Sequence, residues 1–89
     1  MKVLRPAAAG TLESSDVFVE VNPCDTIKIE VDSVVADQFG DTIEQAVRDL
    51  LTTFEVDGAH LTLKDRGALD CTLRARAETA IRRAAREVG

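Results

Sequence analysis

The sequence predicts an α+β fold: a two-layer sandwich in which two amphipathic helices cover one face of a small, mostly antiparallel sheet, in the order β-β-β-α-β-α. Three observations predict it. The chain has 89 residues, 45% of them hydrophobic, which is enough for one compact core. Three short segments alternate apolar residues with period two. Two longer segments carry apolar residues at spacings of three and four. We therefore expect one domain over residues 1–89.

The predicted strands are short segments with one apolar face. Residues 17–21 read Val-Phe-Val-Glu-Val, residues 27–31 read Ile-Lys-Ile-Glu-Val and residues 59–63 read Ala-His-Leu-Thr-Leu. The turn sequence Asn-Pro-Cys-Asp (residues 22–25) separates the first two, so we expect these two strands to form an antiparallel pair. Before them, residues 10–16 suggest a short strand at 10–12, a tight turn and a return.

The predicted helices follow from two apolar stripes. The first stripe comprises Val35, Phe39, Ile43, Val47, Leu50, Leu51 and Phe54. Gly40 either lies inside this helix or marks a start near Asp41, and the pattern leaves both open. The second stripe, on the last helix, comprises Leu69, Leu73, Ala77, Ala80, Ile81, Ala84 and Val88.

Composition argues against several classes of function. Eleven basic residues stand against sixteen acidic ones, a net charge of -5, and three phenylalanines are the only aromatic residues, so nucleic acid is a disfavoured partner. No apolar run is long enough for a membrane span or a signal peptide, so we expect a cytoplasmic protein. Cys24 and Cys71 make neither a disulfide framework nor a zinc site, and we expect reduced thiols, with Cys71 buried.

Autonomous catalysis is not expected from these residues. His60 is the only histidine, and its spacing to Ser14, Ser15 or Cys71 supports no nucleophile–base pair. Ser14 would stand at a turn, accessible to a modifying enzyme. From the residues alone, an ordinary turn serine is the favoured interpretation.

Three blocks of sequence favour a different interpretation of Ser14. In chain order, they are Gly-Thr-Leu-Glu-Ser-Ser-Asp (residues 10–16), Gln-Phe-Gly-Asp (38–41) and Gly-Ala-Leu-Asp-Cys (67–71). The third block is followed by Arg-Ala-Arg (74–76). Together they resemble the acyl carrier protein of citrate lyase, its gamma subunit, over about residues 6–86. In that family the serine that matches Ser14 is modified. The next residue is glycine in some members and Ser15 here.

The resemblance implies a non-catalytic carrier. Ser14 would hold a covalent 2′-(5″-phosphoribosyl)-3′-dephospho-coenzyme A, attached through a phosphodiester by a prosthetic-group transferase. The arm carries an acetyl thioester. The alpha subunit exchanges acetyl for citrate, and the beta subunit cleaves the citryl thioester to oxaloacetate, as in citrate fermentation. The complex thereby converts citrate to acetate and oxaloacetate.

The resemblance also suggests roles for neighbouring residues. We expect Glu13 and Asp16 to shape the turn or contact the transferase, and Asp70 to cap the last helix. Arg74 and Arg76 either face partner subunits or the cofactor phosphates, or belong to a solvated helix face.

Three alternatives stay open at this point. The nearest is the acyl carrier subunit of malonate decarboxylase, which uses the same kind of group. The second is a small α+β interaction or ligand-sensing module with an unmodified Ser14. The third is an independent hydrolase that uses His60 with Ser14 or Cys71.

Overall fold

Strands and helices follow one another in the predicted order in the computed structural model, which describes residues 1–34 and 36–86. Their bounds are β1 (Ala7–Gly10), β2 (Val17–Asn22), β3 (Ile27–Ser33), α1 (Ala36–Thr53), β4 (Ala59–Asp65) and α2 (Asp70–Ala85). Gly40 lies inside α1 rather than before it. Val35 and Val88, which the stripes placed on the helices, lie outside the described residues, as does the side chain of Phe39.

The sheet has the strand order β1-β2-β4-β3 and is mixed. β1 pairs with β2 and β2 with β4 in antiparallel fashion, whereas β3 and β4 are parallel. The prediction of a mostly antiparallel sheet is confirmed, but the antiparallel pairing of segments 17–21 and 27–31 is wrong. β4 lies between them, because the long α1 connection lets β3 and β4 form a parallel β-α-β unit. Ala59, Leu61 and Leu63 are completely buried, which explains why β4 takes a central place.

The first strand begins and ends earlier than the sequence indicated. It covers Ala7–Gly10 rather than residues 10–12, and Ala9 lies opposite Val19 in the antiparallel register. Alanine is depleted in strands, so the Ala-Ala-Ala run gives little local signal. Pairing with β2 supplies the strand conformation instead.

One face of the sheet carries the core. Val17, Val19 and Val21 of β2 join the buried residues of β4 in a cluster that also contains apolar side chains of both helices. α1 packs on β3, α2 packs on β1 and β2, and the two helices contact each other. This confirms a two-layer α+β sandwich with both helices on one face. Leu69 departs from its predicted place in the stripe, since it precedes α2 and is exposed.

The sheet has two ends with different loops. Because β2 is antiparallel to β4 and β3 is parallel to it, the 11–16 loop, residues 66–69 and the end of β3 meet at one end. We call this the Ser14 end. At the opposite end lie the turn of residues 23–26, Gly58 and the amino terminus, where the Met1 amino group donates to the Phe54 carbonyl at 2.7 Å.

Candidate functional site

Ser14 lies exposed in the loop that joins β1 to β2. Among the residues that the structure describes, none forms a hydrogen bond with its hydroxyl group. The hydroxyl therefore has no part in holding the fold together. An exposed side chain on such a loop is accessible to other proteins.

The loop around Ser14 is ordered by its own polar side chains. Thr11 Oγ1 donates to Asp16 Oδ2 at 2.7 Å and accepts from the Glu13 amide at 3.2 Å. Asp16 Oδ1 accepts from the Val17 amide at 2.7 Å, and the Asp16 amide donates to the Glu13 carbonyl at 3.2 Å. These bonds close the loop at its base and leave its tip, with Ser14, free.

Two arginines tie the loop to the rest of the molecule. The Ser15 amide donates to the Arg66 carbonyl at 2.8 Å, and the Arg66 amide donates to the Asp16 carbonyl at 2.9 Å. The Arg76 guanidinium, on α2, contacts both Asp16 carboxylate oxygens, at 3.2 and 3.3 Å. The loop is thus held by the end of β4 and by α2, so the position of Ser14 is fixed relative to the core.

The same contacts change the acidity of Asp16. The hydrogen bond from Thr11, then that from the Val17 amide, then the Arg76 guanidinium lower the pKa of Asp16 below its ordinary 3.8. Asp16 is therefore a carboxylate at neutral pH, the form that can accept all of these bonds.

Backbone conformation accounts for two motif positions. Gly10 has a φ of 94°, and a Cβ there would overlap the Val17 carbonyl oxygen. Only glycine meets both conditions. Ser15 has a φ of 65°, in the left-handed region that glycine favours.

The other predicted residues divide into two groups. Glu13 shapes the turn through its backbone, and its side chain is exposed at the loop tip. Asp70 does not cap α2: Leu69 holds the N-cap position and makes no side-chain cap bond. Asp70 is instead the first helical residue, where the helix dipole stabilises a carboxylate, and it forms an ion pair with Arg74 at 2.8 Å. Of the two arginines in the motif, only Arg76 joins the Ser14 loop.

Among the described residues, no histidine, cysteine or acidic side chain forms a hydrogen bond with the Ser14 hydroxyl. His60 pairs with Asn22 at the far end of β2 and contacts Glu30 at 3.0 Å. His60 lies in β4, six positions before Arg66, a distance of about 20 Å. Cys24, at the opposite end, and Cys71 are free thiols. The expectation that Cys71 is buried is wrong, because its position in α2 points away from the sheet and leaves it exposed.

Asp65, the last residue of β4, has a structural role at this end. It is 1% exposed, and its carboxyl group accepts from the Ser33 hydroxyl at 2.6 Å and from the Ala68 amide at 2.9 Å. It therefore joins the end of β3 to the turn before α2. Its register could have indicated this, since it continues the buried alternation of Ala59, Leu61 and Leu63.

Other kinds of site find no support in the described ranges. They contain no cluster of side chains suited to a metal ion, and no helix there is long and apolar enough to cross a membrane. The surroundings of Ser14 suit a covalent prosthetic group, because Ser14 is exposed, its hydroxyl has no hydrogen-bond partner among the described residues, and its loop is tied to β4 and α2.

Comparisons with known proteins give the family. The acyl carrier protein family model described as the malonate decarboxylase delta subunit matches residues 4–84. The citrate lyase acyl carrier protein of Escherichia fergusonii is 47% identical over 89 residues, covering 98% of this chain and 92% of the relative. Those of Haemophilus influenzae strain PittEE and Haemophilus ducreyi are 51% and 48% identical over 87 residues, with the same coverage. No solved structure was found to match. The chain belongs to the citrate lyase acyl carrier protein family.

Proposed function

We propose that this chain is the acyl carrier subunit of a citrate lyase, with its prosthetic group attached to Ser14. The observation that carries the proposal is the Ser14 hydroxyl: exposed, without a hydrogen-bond partner among the described residues, and held on a loop tied to β4 and α2. The choice of citrate lyase as the complex rests on the names of the relatives. A carrier needs this combination, since the group must be accessible while its anchor stays fixed.

Attachment requires formation of one phosphodiester bond. The Ser14 oxygen attacks the phosphorus of a phosphoanhydride donor of the group, the bond from that phosphorus to the leaving phosphate breaks, and the serine proton passes to a base of the transferase. The proposed product carries 2′-(5″-phosphoribosyl)-3′-dephospho-coenzyme A, as the resemblance implies. Among the described residues none forms a hydrogen bond with the Ser14 hydroxyl, so we assign the catalytic groups to the transferase.

When attached, the group supplies a terminal thiol that carries acyl groups as thioesters. The chain itself contributes the anchor. Thr11, Asp16 and Arg76 hold the loop, so that the arm leaves the molecule from one fixed point. Tethering raises the effective concentration of the thioester at the alpha and beta subunits, which convert citrate to acetate and oxaloacetate in the cytoplasm. The chain acts as one carrier domain and not as a catalyst.

Mass spectrometry of the intact chain tests the proposal. The chain is produced together with the citrate lyase prosthetic-group enzymes of its own source, and modified peptides are mapped. We expect the added mass of the group on the peptide that contains Ser14, lost in Ser14→Ala and retained in the matched control Ser15→Ala. The same mass retained in Ser14→Ala and lost in Ser15→Ala would move the site to Ser15. An unmodified chain, with enzymes active on a known carrier, would contradict the carrier function and favour an interaction or ligand-sensing module.

Malonate decarboxylase is the second candidate complex, because the matching family model carries that description. Reconstitution separates the two. The modified, acetylated chain is mixed with purified alpha and beta subunits of citrate lyase, and oxaloacetate formation from citrate is measured. Turnover with these subunits, and none with the acyltransferase and decarboxylase subunits of malonate decarboxylase, is the expected result. The reverse pattern would assign the chain to malonate decarboxylase.

A further inference from the structure

The Ser14 end carries exposed apolar side chains that the fold does not use. Among the described residues, five large apolar residues are classed as exposed. Three of them, Leu12 at 56%, Val34 at 67% and Leu69 at 70%, lie at the Ser14 end. The other two, Met1 and Leu4, lie at the opposite end.

These three residues lie on segments that the backbone ties together. Leu12 is two residues before Ser14, so their Cα atoms are at most about 7 Å apart. The Val34 amide donates to the Asp65 carbonyl at 3.3 Å, next to Arg66, whose carbonyl accepts from the Ser15 amide. Leu69 follows Arg66 by three residues, at most about 11 Å. Leu12 thus belongs to the loop that carries Ser14, whereas Val34 and Leu69 are connected to that loop through Asp65 and Arg66.

We infer that Leu12, Val34 and Leu69 form the docking surface for the enzyme that attaches the prosthetic group to Ser14; this rests on the proposed function. That enzyme must bring the donor phosphorus within bonding distance of the Ser14 oxygen, so it must cover the loop tip. An ordinary interface buries about 800 Å² per partner, a disc of about 16 Å radius, and one centred near Arg66 covers the three residues. The partner is therefore a protein with an apolar contact face around its active-site entrance.

The matched control is Leu4. It is 45% exposed, and its amide donates to the Ala84 carbonyl at the other end of α2. Ala84 lies fifteen positions after Leu69, nearly all of them helical, which places Leu4 about 22 Å away from Leu69. Leu4→Ser removes a similar apolar side chain outside the expected contact area.

Kinetics of modification test the inference. With the purified transferase and donor, we expect Leu12→Ser/Leu69→Ser to raise the KM for the carrier about tenfold with kcat nearly unchanged, because these contacts form before and during reaction alike. Leu4→Ser should have the same KM and kcat as the native chain. Serine is a favoured N-cap residue, so Leu69→Ser should not unfold α2, and circular dichroism checks this.

A second measurement separates docking from chemistry. Ser14→Ala cannot be modified but should inhibit modification of the native chain by occupying the transferase. The same variant with both leucines replaced should inhibit about tenfold more weakly. Unchanged KM and unchanged inhibition would overturn the docking surface while leaving Ser14 as the modified residue. Failure of the native chain to be modified would overturn the proposed function and this inference together.

Discussion

The two ends of the sheet differ in their cavities and in their exposed side chains. At the opposite end, a cavity of about 590 Å³ is lined by the amino-terminal residues, the Pro23–Asp25 turn and the segment Glu55–Gly58. At the Ser14 end, the α2 surface beside Arg76 has only a shallow depression of about 310 Å³. Yet the free hydroxyl, the tied loop and most of the exposed apolar side chains belong to the second end.

The difference shows why cavity size is a poor guide for this family. A cavity is the default site for a small molecule because it buries most of the ligand. A carrier is itself the substrate of other enzymes, so its reactive group must stand outside the surface. Three carboxylates, Asp25, Glu55 and Asp57, line the larger cavity, whereas the smaller depression includes Arg76, the residue that holds the Ser14 loop.

Loss of Asp65 should have the largest effect on stability. Asp65→Ala removes the buried carboxyl group that accepts from the Ser33 hydroxyl and the Ala68 amide, and we expect a loss of about 3 kcal/mol in the free energy of unfolding. Chemical denaturation measures it. Asp32→Ala is the control, since its exposed side chain makes a 3.6 Å ion pair with Arg66, and it should cost less than about 1 kcal/mol. Equal losses would contradict the role of Asp65 at this end.

Two glycines allow the ends to be compared directly. Alanine at Gly10 would overlap the Val17 carbonyl oxygen, and alanine at Gly58 would overlap the Cys24 carbonyl oxygen. Each substitution should destabilise the chain by about 2 kcal/mol, because backbone must shift in both cases. Only Gly10→Ala should also slow modification of Ser14 under conditions where both variants are folded.

Gly67 separates the contribution of backbone strain from that of the overlap. It has a φ of 89°, but no atom lies within 4 Å of an added Cβ, so Gly67→Ala should cost only about 1 kcal/mol. Thermal unfolding of the three variants gives the order of stability.

A Gly58→Ala chain that is modified as slowly as Gly10→Ala would contradict the expected difference between the two ends.

Sequence patterns predicted the elements better than their pairing. Period-two alternation located β2, β3 and β4, and two stripes located the helices, because burial on one face dictates these patterns locally. The partner of a strand is not a local property. Residues 17–21 and 27–31 look like a hairpin, yet β4, nearly 30 residues later, separates them. β1 was misplaced because its alanines carry no strand signal.

The site was predictable only in part. Composition could not distinguish Ser14 from any turn serine, and the motif of residues 10–16 supplied the distinction. The ties to Arg66 and Arg76 join residues some 50 to 60 positions apart, and no spacing rule predicts such contacts. The exposure of Leu69 was missed because its position fits the apolar stripe of α2, which in fact begins at Asp70.

Arg76 should affect order in the loop more than stability. Its guanidinium is 44% exposed and Asp16 is 14% exposed, so Arg76→Ala should cost at most about 1 kcal/mol. Hydrogen exchange of the Ser15 and Asp16 amides should become faster, with no change at Ala59 in the opposite end. Arg48→Ala, which removes an exposed ion pair with Glu44, is the control and should leave all three amides unchanged. Equal protection of the loop in both variants would show that Arg76 does not hold it.

The smallest effect is the pH dependence of the loop. Because the folded chain lowers the pKa of Asp16, the contribution of its carboxylate is complete at neutral pH and is lost as the pH falls below the ordinary 3.8 and through the lowered value. The chemical shift of the Val17 amide, which donates to Asp16 Oδ1, reports this titration. In Arg76→Ala the midpoint should rise but remain below the ordinary value, since the bonds from Thr11 and Val17 lower the pKa more than Arg76 does. A midpoint that returned fully to the ordinary value would make Arg76, rather than the loop's own hydrogen bonds, the main support of the carboxylate.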